Sequence, residues 1–424
     1  MANKHYAKLG ETLYTETLEN GLTIHVIPKR GYQRSHAMFA TNYGGADRRF
    51  CHRGQWLNTP AGVAHFLEHK MFDMPDGENA LSILSANGAS PNAYTSSSMT
   101  AYYFDCTQGF SENLRQLLTF VSTPYFTEES VTKEQGIIGQ EIRMCEDDPD
   151  YALYYNLLKC LYAKNPLRDS VAGTIESIAE ITPDILYACH RVFYHPSNMT
   201  LCCVGDVQPE AVVDIAREIL PPEPGEPPAR DYGPTELGKP ASLRHRTAME
   251  VSAPQFFLGA KVEPARPGPE RLRQQLVGEL ALRYLVGESS PFYTQLYSQG
   301  LLHTDFGADL DYAANSAMVL AGGESRDPHA VLAALERQVA QVKSGMDQKF
   351  FDRIHRASLG AHLRQLDHLG SLCSALASGS FAGWCPLDAA DMLAAIPPEE
   401  VQTAILDWFR PEHLALSIID PVRP

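Results

Sequence analysis

Apolar and polar residues alternate along Gly21-Leu22-Thr23-Ile24-His25-Val26-Ile27-Pro28, and a period of two with β-branched side chains predicts a strand. A similar run, 37–43, stops at Gly44-Gly45. The same reading predicts strands over 100–105 and 201–207. Helices are predicted over 62–72, 111–123 and 130–146. In the second half it predicts a strand over 255–263, helices over 270–286, 329–344 and 348–366, and a closing strand over 414–420. Both halves therefore alternate strands with paired helices and end on a strand. That order suits an α+β class better than a regular βαβ array. It suggests two related domains from an old duplication, each a mostly antiparallel sheet packed with helices. Residues 221–240 (PPEPGEPPARDYGPTELGKP) are rich in proline and charge and read as a linker. The expected division is 1–220, a linker over 221–240, and 241–424.

Composition narrows the function classes. The chain has 424 residues, 44% hydrophobic and 20% charged, as in a soluble globular protein. A formal charge of −16 disfavours nucleic acid and anionic membrane as partners. The N-terminus lacks the apolar core of a secretory signal, and apolar runs such as Leu201-Cys202-Cys203-Val204 fall far short of a membrane span. The nine cysteines form no CxxC pair, so reduced and mostly buried thiols in a cytoplasmic protein are expected.

The chemistry concentrates in His65-Phe66-Leu67-Glu68-His69. On a helix, positions i and i+4 share a face, so both imidazoles can reach one metal ion. Zinc accepts imidazole and carboxylate ligands, and a catalytic site keeps one position for water. A carboxylate beside such a site can take a proton from that water and pass it to a leaving amine, a role that suits Glu68. The HxxEH order is the inverted zinc-peptidase motif. An ordinary solvated helix face is the bland alternative. Two histidines need a further ligand. Glu134 and Glu141 are seven apart, two turns along one face of a predicted helix, though from that spacing alone a solvated acidic helix is the favoured reading. The other histidines are scattered, and His195 reads as a turn residue. Cys145 has no histidine near it in sequence, and no GxSxG, P-loop or GxGxxG motif is present.

GVAHFLEHKMF, SPNAYTSSSMTAYYFD, EQGIIGQEIRMCEDDPDY and FYHPSNMTLCCVGDV, in this order, resemble the pitrilysin family of zinc metallopeptidases, in its small-subunit branch related to the mitochondrial processing peptidase and nearest to bacterial YmfH-like proteins. The resemblance covers 10–220 and, more weakly, the second half. It implies a clamshell of two α/β domains and one zinc ion held by His65, His69 and Glu141, with Glu68 as general base. It implies a supporting place for Glu134 around the catalytic water or a ligand. It also implies that Asn92, Ala93, Tyr94 and Thr95 hold a substrate peptide as an added strand.

The second half departs from that pattern. Where the family carries an Arg and a Tyr seven apart that bind peptide and stabilise the oxyanion, Tyr297 and Thr304 stand here. The resemblance then implies a heterodimer: a zinc endopeptidase subunit completed by a homologous partner that brings the Arg/Tyr pair. Substitution by a neighbour such as His303 is the other way to account for the change. A non-proteolytic peptide-binding or assembly subunit is the alternative function.

Overall fold

The computed structural model describes residues 1–422. Its strands are β1 (Ala2–Tyr6), β2 (Glu11–Thr17), β3 (Thr23–Pro28), β4 (Ser35–Thr41), β5 (Arg49–His52), β6 (Gln55–Asn58), β7 (Ala89–Thr95), β8 (Thr100–Cys106), β9 (Met199–Gly205), β10 (Ala229–Arg230), β11 (Arg244–Met249), β12 (Gln255–Val262), β13 (Gly307–Ala313), β14 (Ser316–Glu324) and β15 (Ala415–Pro421). The helices that matter below are α1 (Val63–Lys70), α2 (Ala80–Ala86), α3 (Phe110–Ser122), α4 (Glu128–Glu146), α5 (Pro149–Leu161), α6 (Ile175–Ala179), α7 (Pro183–Phe193), α8 (Pro209–Ile219), α9 (Pro269–Leu285), α10 (Pro291–Ser298), α11 (Pro328–Val342), α12 (Gln348–Gln365) and α13 (Leu369–Ala382). The predicted α+β class, with antiparallel-rich sheets and many helices, is the class observed.

The chain forms two compact units. The first comprises Met1–Ile142, Ser170–Tyr232 and Leu363–Leu387, and holds a seven-stranded sheet in the order β1-β2-β3-β9-β4-β8-β7. Only β3 and β9 run parallel within it. The central strands are buried on both faces, and their side chains alternate between two cores. Ala37 and Phe39 of β4 and Leu201 and Cys203 of β9 join one cluster with Leu114, Leu117 and Leu118 of α3. Met38, Ala40, Cys202 and Val204 join the other, with Leu372, Cys373 and Leu376 of α13. That two-sided burial explains the continuous apolar run at 201–204.

The second unit comprises Arg143–Asp169, Gly233–His362 and Asp388–Pro424, and its sheet runs β11-β15-β12-β14-β13. β15 is parallel to β11 and antiparallel to β12, as β9 is parallel to β3 and antiparallel to β4. The repeated order supports the duplication read from the sequence. A helix lies on the corresponding strands in each unit: α13 against β9 and β4, α5 against β15 and β12. Each unit thus takes one helix from the opposite half of the chain.

The proline-rich segment is tied down on both sides of Tyr232. Within the first unit, β10 pairs with β5, and Arg230 forms a 2.9 Å ion pair with buried Asp47. Asp47 also accepts from the Tyr232 hydroxyl at 2.7 Å and the Gly44 N–H at 2.8 Å. Within the second unit, the Glu236 carboxylate accepts the backbone N–H groups of Ala163, Lys164 and Asn165 at 2.6–2.8 Å. No disulfide joins the nine cysteines, and six of them are buried. Among the described residues no helix is long and apolar enough to cross a membrane.

Candidate metal centre

α1 starts abruptly. Gly62 precedes it with φ 94°, in the left-handed region, and a side chain there would meet the Ala172 carbonyl oxygen at 2.7 Å. Glycine is therefore required for the chain to turn into the helix while packed against the 172–173 loop. The helix then buries Val63, Phe66, Leu67 and Lys70 along one stripe, which leaves His65 and His69 side by side on the adjoining face. Their rings meet edge to face with centroids 4.6 Å apart.

α4 supplies the carboxylates. Val131, Ile138 and Ile142 bury one side of it, and this orients Glu134 and Glu141 toward α1. His65 Nε2 lies 3.4 Å from Glu141 Oε1, and His69 Nε2 lies 3.6 Å from Glu141 Oε2. One donor atom from each of these three residues falls within 4.8 Å of the others. Tetrahedral zinc with ligand distances of 2.0–2.2 Å separates its ligand atoms by about 3.4 Å. The nitrogen–oxygen spacings match that figure and are wider than the 2.7–2.9 Å of a charge-assisted hydrogen bond. The donor set fits a zinc ion.

Glu134 does not join this set. Its Oε1 accepts from His69 Nδ1 at 3.0 Å, which leaves the lone pair of Nε2 aimed at the same point as His65 and Glu141. This is the usual way a carboxylate fixes the tautomer of a metal-binding imidazole. Burial pushes His69 toward lower pKa, but the Glu134, Glu141 and Glu68 carboxylates outweigh it and hold the ring above its ordinary value. His65 beside Glu141 keeps that carboxyl below the usual range. Glu68 is buried, and burial raises its pKa against the opposing Thr95 hydrogen bond and the two imidazoles.

Two features were not anticipated from sequence. The Thr95 hydroxyl donates to Glu68 Oε2 at 2.5 Å, so β7 supports the carboxylate directly as well as lying beside α1. Lys70, only 1% exposed, bonds Asp73 and the Ser130 carbonyl and brings its ammonium to 4.0 Å from Glu134 Oε2. A lysine in register with Phe66 and Leu67 on the apolar stripe of α1 was the available signal for it. Of the expected peptide-holding residues, Asn92, Ala93, Tyr94 and Thr95 all lie on β7, the outermost strand of the sheet. The Tyr94 side chain turns to the opposite face and meets Ser374 of α13 at 3.1 Å. Tyr297 lies on α10 in the second unit, half exposed and stacked on Tyr293, and Thr304 follows in the turn after that helix.

The chain is similar to known proteins along most of its length. The family profile "Insulinase (Peptidase family M16)" matches residues 54–175, and "Peptidase M16 inactive domain" matches 180–358. The Bacillus subtilis protein named zinc protease YmfH is 35% identical over 98% of this chain and 98% of its own length. A Mycobacterium leprae protein named zinc protease ML0855 is 29% identical over 60% of each chain. A solved structure described as an M16-like peptidase, from Alicyclobacillus acidocaldarius, is 32% identical, with a TM-score of 0.93 over 97% of this chain and 99% of that one. A protease structure from Helicobacter pylori shares the fold at 17% identity, with a TM-score of 0.80 over 96% and 99% of the two chains. The chain belongs to peptidase family M16, the zinc metallopeptidase family that its HxxEH segment resembles.

Proposed function

We propose that this chain is the metal-bearing subunit of a zinc endopeptidase that hydrolyses peptides held as an added strand along β7. The observation that carries the proposal is the convergence of His65, His69 and Glu141 on one point with buried Glu68 beside it. These three residues would hold one zinc ion. When bound, zinc supplies Lewis acidity that polarises a carbonyl and acidifies a water molecule. Glu68 takes the proton of the attacking water and delivers it to the amine nitrogen as the C–N bond breaks. Thr95 holds Oε2 of Glu68, so that Oε1 receives the proton. Glu134 keeps His69 oriented throughout.

Tyr297 supplies no guanidinium, and Thr304 no phenol, at the positions where the family resemblance expects them. A homologous partner chain bringing an Arg/Tyr pair completes the site. The same two positions are also what favours a second reading, a peptide-binding or assembly subunit without turnover.

One experiment separates these readings. The chain is purified alone and with a homologous partner, its zinc is quantified, and cleavage of an unstructured peptide is assayed. Glu68→Gln retains zinc and loses at least about 100-fold in turnover, the usual contribution of a general base. A wild-type complex without zinc, or a Glu68→Gln complex that cleaves as fast as wild type, sinks the peptidase reading. Zinc retained without cleavage in any pairing favours the non-proteolytic one.

A further inference from the structure

β7 is an edge strand, paired with β8 on one side only among the described residues. In an antiparallel ladder, alternate residues turn both backbone groups inward or outward. Three observations fix which residues of β7 turn outward. The Ser96 N–H donates to the Met99 carbonyl at 2.8 Å, which makes 96 an inward position and 95 an outward one. The facing hydroxyls of Thr95 and Thr100 are 3.3 Å apart, the close approach expected of a pair not bonded through its backbone. The Ala93 N–H donates to Asn92 Oδ1 at 2.8 Å and so does not serve the ladder. Residues 91, 93 and 95 therefore share the outer edge.

Position 91 is proline. An outward proline costs the sheet nothing, because its missing N–H belongs to the unpaired side. It costs an incoming strand a donor, and its ring occupies the line along which that strand would continue. The outer edge thus turns consecutive N–H groups outward only at Ala93, where a peptide must displace Asn92 Oδ1, and at Thr95. Thr95 is also the residue whose hydroxyl reaches Glu68, so these donors lie at the end of the strand next to the candidate metal centre.

We infer that Pro91 ends substrate pairing, so that the chain grips an extended peptide through Ala93 and Thr95 alone. Because a peptide strand uses every second residue, this footprint covers three substrate residues on one side of the scissile bond. The preferred substrates are then short or locally extended peptides recognised close to the cut. This inference rests on the peptidase reading above.

The test uses zinc-loaded full-length chain carrying Glu68→Gln, with its partner where one is needed. The probes are fluorescent peptides built outward from a bond that the wild type cleaves. One series lengthens the N-terminal arm and the other the C-terminal arm. Affinity in one series rises up to the third residue and is then flat within twofold. Adding Pro91→Ala or Pro91→Val restores a donor and tightens peptides with an arm of five or more residues by about three- to tenfold, the worth of one net hydrogen bond. Three-residue arms stay unchanged. The inference is overturned if wild-type affinity keeps rising beyond the third residue, or if the Pro91 variants shift all lengths equally or none. Peptides that are cleaved normally without any length effect remove this inference and leave the peptidase reading intact. A chain that neither cleaves nor binds any peptide removes both.

Discussion

The hydrogen bond from His69 Nδ1 to Glu134 and the ammonium of Lys70 behind it form a line of support that ends at the candidate metal point. If Glu134 serves to fix one tautomer of His69, then Glu134→Gln leaves the three ligands in place but weakens their grip. Zinc affinity measured by chelator competition is expected to fall about 10- to 100-fold, as for other groups that orient a metal-binding histidine. Lys70→Met keeps the side-chain volume and removes the charge. The Asp73 carboxylate and the Ser130 carbonyl lose their shared partner, and Glu134 loses the nearest positive charge. A smaller fall in zinc affinity is expected on the same assay, together with a lower unfolding midpoint in urea. Unchanged affinity in both variants removes the supporting role. The two candidate ligands on α1 were legible in the sequence because one helical turn brings His65 and His69 together without help from the rest of the fold. Thr95 and Lys70 were not, since their roles depend on β7 and α4 packing beside α1 from distant positions in the chain.

At the scale of elements, the start of α1 is the sensitive point. Gly62→Ala combines a left-handed backbone with a clash against the Ala172 carbonyl. A loss of more than about 1 kcal/mol in urea unfolding is expected, with reduced zinc occupancy because both histidines follow within two turns. A variant with wild-type stability and full zinc would show that α1 can start without this constraint. Hydrophobic periodicity made α1, α3, α4, α9, α11 and α12 readable to within about two residues at each end, whereas α2, α5, α7, α8, α10 and α13 were not anticipated. α13 escaped notice for a physical reason. Its sequence, LGSLCSALASGSFA, is rich in Gly and Ser, which read as loop. In the fold those small residues let the helix lie close on β4 and β9, and a Cβ at Gly370 would come within 3.3 Å of the His36 ring. Tertiary packing overrides local propensity there. The edge position of β7 was likewise invisible, because strand order depends on β9 entering between β3 and β4.

For the molecule as a whole, acidity acts through two histidines of the first unit, half-buried His25 and buried His190. Burial pushes His25 and His190 down to about 4, while the unfolded chain titrates near its ordinary 6.5. Both rings stay neutral in the fold. His25 lies against Thr15 and Ser380, and His190 against the Val121 carbonyl. Above pH 6.5 neither state binds the proton, and the fold bears no penalty. As the pH drops from 6.5 toward 4, only the unfolded chain binds protons, and stability is lost. At pH 5 the loss is about 2 kcal/mol per histidine. Urea midpoints measured at pH 7.5 and 5 should differ accordingly, and His190→Gln should lose less on acidification than wild type. An equal loss in the variant would place the acid sensitivity elsewhere. The sheet of this same unit also depends on α13, whose Leu372, Cys373 and Leu376 cover the face formed by Met38, Cys202 and Val204. During synthesis, the ribosome makes α1, α4 and all seven strands of that sheet long before residues 369–382 emerge. Until then the nascent chain carries an uncovered apolar face. His65 and His69 are made about 300 residues before α13, and the unit that carries them is completed only when that helix arrives.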